Sequence, residues 1–131
     1  MAGFSGITHV AVTVSDLAKS REFYGKLFGS APVLDENAGS FYHVVYLLDG
    51  GTLFGLHTHQ TPNDQPRFSE FRSGLDHVAF GLSSRAELEK WVTKLDGLGI
   101  KHGGIVDAHY GSGISFRDPD NIALELFAPP S

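Results

Sequence analysis

The chain opens on an alternation of apolar and polar positions. Val10, Val12 and Val14 alternate with His9, Ala11 and Thr13, the period of a strand with one buried face. Ser15 or Asp16 then offers a helix N-cap, and Leu17, Phe23, Leu27 and Phe28 supply an apolar face over about Leu17 to Phe28. Gly29 closes that helix. Strands are expected over Pro32 to Leu34, Phe41 to Leu48 and Thr52 to Thr58, with Asp49-Gly50-Gly51 as the turn between the last two. A polar run from Gln60 to Pro66 breaks the pattern, and the order then restarts. A strand over Leu75 to Leu82 leads to Ser83 or Ser84 and a helix over about Arg85 to Leu98, ended by Gly99. Further strands are expected near Gly104 to Val106, Ile114 to Arg117 and Ile122 to Phe127, with Asp118-Pro119-Asp120-Asn121 turning between the last two.

The restart is a repeat. Ile7-Thr8-His9-Val10-Ala11-Val12 returns as Leu75-Asp76-His77-Val78-Ala79-Phe80, its histidine 68 residues further on. Phe23 matches Trp91 and Leu27 matches Leu95, which makes Trp91 a core residue in this reading. Each half reads βαβββ, so the expected class is α+β. Two tandem modules, about 5–59 and 74–130 around a linker of about 60–73, would form one domain over residues 1–131. A helix covers one sheet face of such a module and leaves the other bare. Two bare faces can curl into a curved mixed sheet around a cleft.

In that arrangement His9, Ala11 and Thr13, with His77, Ala79 and Gly81, face the cleft. On the last strand Ile122, Leu124 and Leu126 pack under a helix, while Ala123, Glu125 and Phe127 face inward. A carboxylate on so apolar a strand is costly to bury alone, so Glu125 calls for an ion pair with Arg117 or Arg72, or for a metal. Two imidazoles and a carboxylate suit a divalent ion with open coordination positions, and His9, His77 and Glu125 are that set.

Composition narrows the partners. Net charge is −5 with Lys and Arg scattered, which disfavours nucleic acid or an anionic membrane as partner. Absence of cysteine excludes disulfides and thiolate chemistry. No basic leader opens the chain and no apolar run approaches the ~20 residues of a membrane span, so a cytoplasmic protein is expected. Other residues remain open. His43 lies on a strand whose register the pattern does not fix. His102 follows the second helix, where a cation suits the dipole, and reads as structural. His109-Tyr110-Gly111-Ser112-Gly113 is a glycine-rich loop, either a mobile turn or a flap bringing His109 and Tyr110 to a substrate. Tyr42, Tyr46 and Phe127 are pocket aromatics or core.

Three stretches resemble the vicinal oxygen chelate superfamily, the glyoxalase/bleomycin resistance/dioxygenase group. They are Ile7 to Leu17 with Phe23-Tyr24, then Gly74 to Phe80, then Phe116-Arg117-Asp118-Pro119-Asp120-Asn121-Ile122-Ala123-Leu124-Glu125-Leu126. The resemblance spans nearly the whole chain and implies a glyoxalase-like fold. It also implies metal ligands on the first and last strand of each module, which fall on His9, position 55, His77 and Glu125. Position 55 is Gly55, which departs from the four-ligand glyoxalase I pattern and agrees with the three-ligand pattern of fosfomycin-resistance transferases and extradiol dioxygenases. Both of those groups carry a tyrosine where this chain has Ser115. His57 lies two residues beyond Gly55 on the same face, about 6.8 Å along an ideal strand. It is either a further ligand or a pocket acid/base, and is taken as the catalytic candidate. Substrate contacts are expected from His109, Tyr110 and Phe127.

The implied function is a metal-dependent enzyme holding two neighbouring oxygens of a small metabolite on Fe, Mn, Ni, Co or Zn, of isomerase, lyase or dioxygenase type. The alternative is a bleomycin-resistance-like binding protein without catalysis. Relatives of this kind are commonly homodimers.

Overall fold

The structure is a computed structural model that describes residues 2–130. The chain forms two compact units that divide after Gln65. In the first, β1 (His9–Thr13), α1 (Leu17–Phe28), β2 (Leu34–Asn37), β3 (Phe41–Leu47) and β4 (Leu53–His59) follow in order. Their sheet runs β1-β4-β3-β2, with β1 parallel to β4 and the other pairs antiparallel. In the second, β5 (Val78–Gly81), α2 (Arg85–Gly97), β6 (His102–Ala108), β7 (Gly111–Arg117) and β8 (Ala123–Ala128) repeat the plan, in the order β5-β8-β7-β6. Two tandem βαβββ modules of α+β class are thus what the sequence builds.

Local chemistry explains the helices. Asp16 accepts a hydrogen bond from the Lys19 backbone N–H at 3.1 Å, a cap worth about 1 kcal/mol. Gly29 ends α1 in the left-handed region at φ 65°, where a side chain would be strained. Ser84 caps α2 in the same way through the Glu87 N–H. The buried face of α1 is Ser20, Tyr24 and Leu27. Tyr24 packs its ring 5.2 Å from Phe54, and Phe28 lies 5.1 Å from Tyr46. Val12, Val14, Val44 and Leu56 complete that core, and Leu88, Leu95, Ile114, Leu124 and Leu126 build the second. Each such side chain contributes roughly 1.5–3 kcal/mol on burial.

Each helix is also tied to the outer side of its sheet. Arg21 forms a two-pronged ion pair with Asp35, which accepts a further bond from the Tyr42 hydroxyl at 2.5 Å. Arg85 does the same with Asp107 at 2.8 and 3.0 Å, and Asp107 accepts from the Ser112 hydroxyl at 2.6 Å. Both carboxyls are held down to about 2 by these hydrogen bonds.

Several expectations change. Trp91 is half-buried, with the Lys94 ammonium 4.6 Å from its ring; Leu88 and Leu95, one helical turn to either side, take the core. Tyr46 is core under α1 and Tyr42 bonds Asp35 on the helix side, so neither is a pocket aromatic. Strand β2 begins at Leu34 rather than Pro32, because proline brings no N–H to a ladder. Gly111 to Gly113 are buried residues of β7, not loop, and only His109 and Tyr110 turn between β6 and β7. His102 opens β6 and is bonded through Nε2 to Asp96 at 2.8 Å. Among the described residues no helix is long and apolar enough to cross a membrane.

Candidate functional site

The ladders make the repeat residue-specific. Ala11 is paired with Gly55 and Ala79 with Glu125, so Gly55 and Glu125 occupy equivalent places. Thr13 is paired with His57 and Gly81 with Phe127. The same backbone bond closes each parallel pair, Val14 N–H to His57 carbonyl at 2.9 Å and Leu82 N–H to Phe127 carbonyl at 2.8 Å. His9 and His77 each stand two residues before the matched alanine, on the face away from the helix.

In the second unit the structure brings two of the expected ligands together. His77 Nε2 lies 4.0 Å from Glu125 Oε1. The other ring nitrogen, Nδ1, is 2.6 Å from the Asp76 carboxylate. An ionised carboxylate only accepts, so the Asp76 contact places a proton on Nδ1, and Nε2 is the ring nitrogen on the Glu125 side. Glu125 has room because the neighbouring strand carries Gly113. A Cβ there would lie 2.8 Å from Glu125 Oε2. Arg117 is bonded instead to Glu70 at 2.6 Å, and Arg72 to the Arg67 carbonyl, so neither arginine supplies the ion pair considered for Glu125. An imidazole nitrogen and a carboxylate with a carboxylate-fixed tautomer form a donor pair suited to borderline divalent ions. Among the described residues, however, no three His, Asp or Glu side chains converge as a complete metal-holding group.

The first unit assembles a different surface. His9 is bonded at Nδ1 to the Thr8 hydroxyl at 2.9 Å, Thr8 matching Asp76 in the repeat. Gly55 contributes no side chain, and the His57 imidazole leans over it. Nε2 of that ring is 3.5 Å from the place a Gly55 Cβ would take. Phe41 stacks on His57 at 4.7 Å and 8°, and the His43 ring meets it edge-on at 5.7 Å. His43 therefore shares the His57 face, with Glu36 Oε1 3.4 Å from its Nε2. His59 Nε2 is 3.3 Å from the Thr13 hydroxyl. Burial, then the neighbouring His43, His59 and His9, push the His57 pKa below the ordinary imidazole value and favour the neutral ring. Lys19, Arg21 and Lys26, the only lysines and arginines before residue 66, all lie on α1. Imidazoles are thus the basic groups of this face.

At the far end of the second sheet, Tyr110 stacks over Phe127 at 6.4 Å and 15°, and His109 meets Tyr110 at 5.2 Å. The three expected substrate contacts form one group, with Tyr110 exposed. Sequence reasoning passed over Asp76 and Thr8, left the face of His43 open and read Gly113 as part of a loop. The first two carry a readable signal, since each directly precedes one of the paired histidines. His43 needed the register of β3, and Gly113 needed the lean of Glu125.

Comparisons with known proteins agree with this architecture. The protein named for ring-cleaving dioxygenase activity, MhqA of Bacillus subtilis, is 32% identical over 78 residues, which are 60% of this chain and 24% of that one. The chain therefore spans about a quarter of that relative's length. Metallothiol transferase FosB of Shouchella clausii is 33% identical over 128 residues, covering 93% of this chain and 79% of FosB. A glyoxylase/bleomycin resistance protein/dioxygenase domain from Frankia sp. EAN1pec superposes with a TM-score of 0.87 at 29% identity, over 98% of this chain and 95% of that one. The family model of the Glyoxalase/Bleomycin resistance protein/Dioxygenase superfamily matches residues 6–126, and the chain belongs to that superfamily.

Proposed function

We propose that this chain is a metal-dependent enzyme acting on a small oxygenated metabolite, of isomerase, lyase or dioxygenase type, with His9, His77 and Glu125 as metal ligands. The observation that supports this reading best is the His77–Glu125 pair, 4.0 Å apart, with Asp76 fixing the His77 tautomer and Gly113 clearing space for the carboxylate. A bound Fe, Mn, Ni, Co or Zn ion would supply Lewis acidity toward two neighbouring substrate oxygens.

The chain's own residues set the rest of the chemistry. Asp76 keeps a proton on Nδ1, so His77 would offer Nε2 to an ion. Ser115, the register partner of Glu125 on β7, brings only a short hydroxyl to that side of the carboxylate and leaves room there. The first unit offers imidazoles and Phe41 rather than lysine or arginine, a surface for a planar oxygenated molecule of low charge rather than a polyanion. His109, Tyr110 and Phe127 form an aromatic group suited to contact its apolar part. A homodimer is the expected assembly, which size-exclusion chromatography with light scattering would read directly.

Metal analysis of purified protein, followed by titration with Mn, Fe, Co, Ni and Zn, tests the reading. Stoichiometric loading in the wild type, weakened more than about 100-fold in Glu125→Gln and His77→Ala, is expected, beyond the loss typical of outer-shell partners. Protein that takes up none of these ions would overturn it in favour of a metal-free binding protein.

A further inference from the structure

Of the eight strands, only β7 carries a lysine or arginine: Arg117, at its end. The ladder puts that residue on the face of Glu125. Ser115 is paired with Glu125 and Arg117 with Ala123, while Ile114, Phe116, Leu124 and Leu126 are buried on the helix side. One step before the paired Val78 and Leu124, His77 comes level with Ala123 from the other edge. Arg117 and His77 thus flank the Ala123 methyl, each one strand spacing of about 4.8 Å from it. Glu125 lies two residues along the same strand. A small molecule over Ala123 would meet an imidazole, a carboxylate and a guanidinium at once.

The guanidinium is already set to read a carboxylate. Arg117 Nη2 donates to Glu70 Oε2 at 2.6 Å and Nη1 to Oε1 at 3.2 Å, a two-pronged fork, and Nη1 also donates to the Asn121 carbonyl at 3.1 Å. Glu70 lies outside the sheet, in a segment with attachments of its own. The Phe68 N–H donates to the Asp120 carbonyl at 3.3 Å, Asn121 Nδ2 to the Phe68 carbonyl at 3.0 Å and Arg67 Nη2 to the Pro119 carbonyl at 3.1 Å. Segment and fork each keep a hold that does not involve the Glu70 carboxylate. The Arg117 side chain is 42% exposed, so a carboxylate from solution can reach it. We infer that Arg117 is the carboxylate anchor of this face and Glu70 its internal surrogate, the substrate being a small oxygenated monocarboxylic acid whose carboxylate exchanges with that of Glu70. The inference rests on the reading of His77 and Glu125 as the reacting centre for the placing of the substrate's other oxygens; the carboxylate contact itself is made by the second unit alone.

The test titrates full-length, metal-stripped protein with glycolate, and with glycolamide as its uncharged isostere, following the NMR shifts of the β7 and β8 backbone amides. Glycolate is expected to bind about tenfold more tightly than glycolamide. Arg117→Lys keeps the charge but loses the fork, and is expected to weaken glycolate about tenfold. Glu70→Gln removes the internal competitor and is expected to tighten glycolate severalfold, which an ion pair of purely structural role would not do. Thermal melts confirm that each variant folds. Equal binding of the two probes, unchanged affinity in Arg117→Lys, or an affinity in Glu70→Gln no tighter than wild type would overturn the inference. Metal loading is measured in parallel on the same preparations. Protein that shows the glycolate pattern and takes up no ion keeps the anchor and loses the metal reading; protein that loads an ion and does not distinguish the probes does the reverse.

Discussion

The two units carry the same ladder and almost opposite side chains on it. Where the first has Phe41, His43 and Gly55 with His57, the second has Gly111, Gly113 and Glu125 with Phe127 at the equivalent register places. In the second unit small residues on β7 face large ones on β8, Gly113 opposite Phe127 and Ser115 opposite Glu125, whereas in the first the large Phe41 and His43 face imidazoles, His59 and His57. In the first unit an imidazole is sandwiched against an aromatic ring on the neighbouring strand. In the second a phenyl ring lies directly on backbone, because Gly111 has no side chain to hold it off. The backbone plan therefore does not dictate the chemistry of a face. The distribution of glycine across paired strands does, because it decides which functional side chain has space to lie down and in which direction.

The sharpest way to break the comparison is at Gly111. A Cβ there would stand 2.2 Å from Phe127 Cζ and 2.6 Å from the Ala128 carbonyl, on backbone at φ 146°. Gly111→Ala is expected to cost about 2–3 kcal/mol in denaturant unfolding. Phe41→Ala at the matching place, half-buried, should cost about 1 kcal/mol. Equal losses would contradict the stricter demand for glycine in the second unit.

A second contrast lies behind the histidines. Asp76 is a carboxylate on His77 and Thr8 a hydroxyl on His9, at 2.6 and 2.9 Å. Asp76→Asn is expected to weaken metal affinity about 10-fold to 100-fold, and Thr8→Val by less, as measured by calorimetric titration. The two substitutions having the same effect would show that the extra charge on Asp76 is idle.

His57 gives a smaller, pH-dependent effect. Its folded pKa lies below the unfolded value, so the folded chain binds the proton less readily than the unfolded one. Its contribution to stability is present above the ordinary imidazole value near 6.5 and is lost as pH falls through the depressed folded value. NMR titration of the ring protons in metal-free protein should place the His57 midpoint below the ordinary imidazole value near 6.5. A midpoint at or above that value would remove this expectation.

Smallest are the helix ties, where the units should agree. Asp35 and Asp107 both sit near 2, below the ordinary 3.8, so their contributions are full at neutral pH and fade as pH drops toward 2. Both lie at the surface, so Asp35→Asn and Asp107→Asn are each expected to lower Tm slightly at pH 7 and not at pH 2. A large shift in only one of them would show that the two ties are not equivalent.

Much of the fold could be read from the chain because its signals were periodic. The valine alternation, the caps Asp16 and Ser84 and the turn at Asp118 to Asn121 lie where the structure has them. Glycine was the weak point. Gly111-Ser112-Gly113 looks like a loop by composition, yet those residues form a strand whose missing side chains are filled by Phe127 and Glu125 from the neighbour. Nothing local announces such a demand, which arises from across the sheet. Tyr42 and His43 were ambiguous for a related reason: one step of register sends them to opposite faces, and only the pairing of His43 with His57 settles which. Trp91 followed the repeat correctly to the place of Phe23, but both positions flank the buried helix stripe rather than lie on it.

The glycine exchange has a consequence for how such a protein changes over generations. Because the two ladders match residue for residue, each unit is a working template for the other. A single substitution at position 55 or 57 in one, or at 125 or 127 in the other, puts the other unit's group at a matched register place, but it finds the same room only when the facing residues, Phe41 and His43 or Gly111 and Gly113, are exchanged with it. The duplication thus couples a change of side chain on one strand to a change in glycine placement on the next, so the two units exchange chemistry in pairs of positions rather than singly.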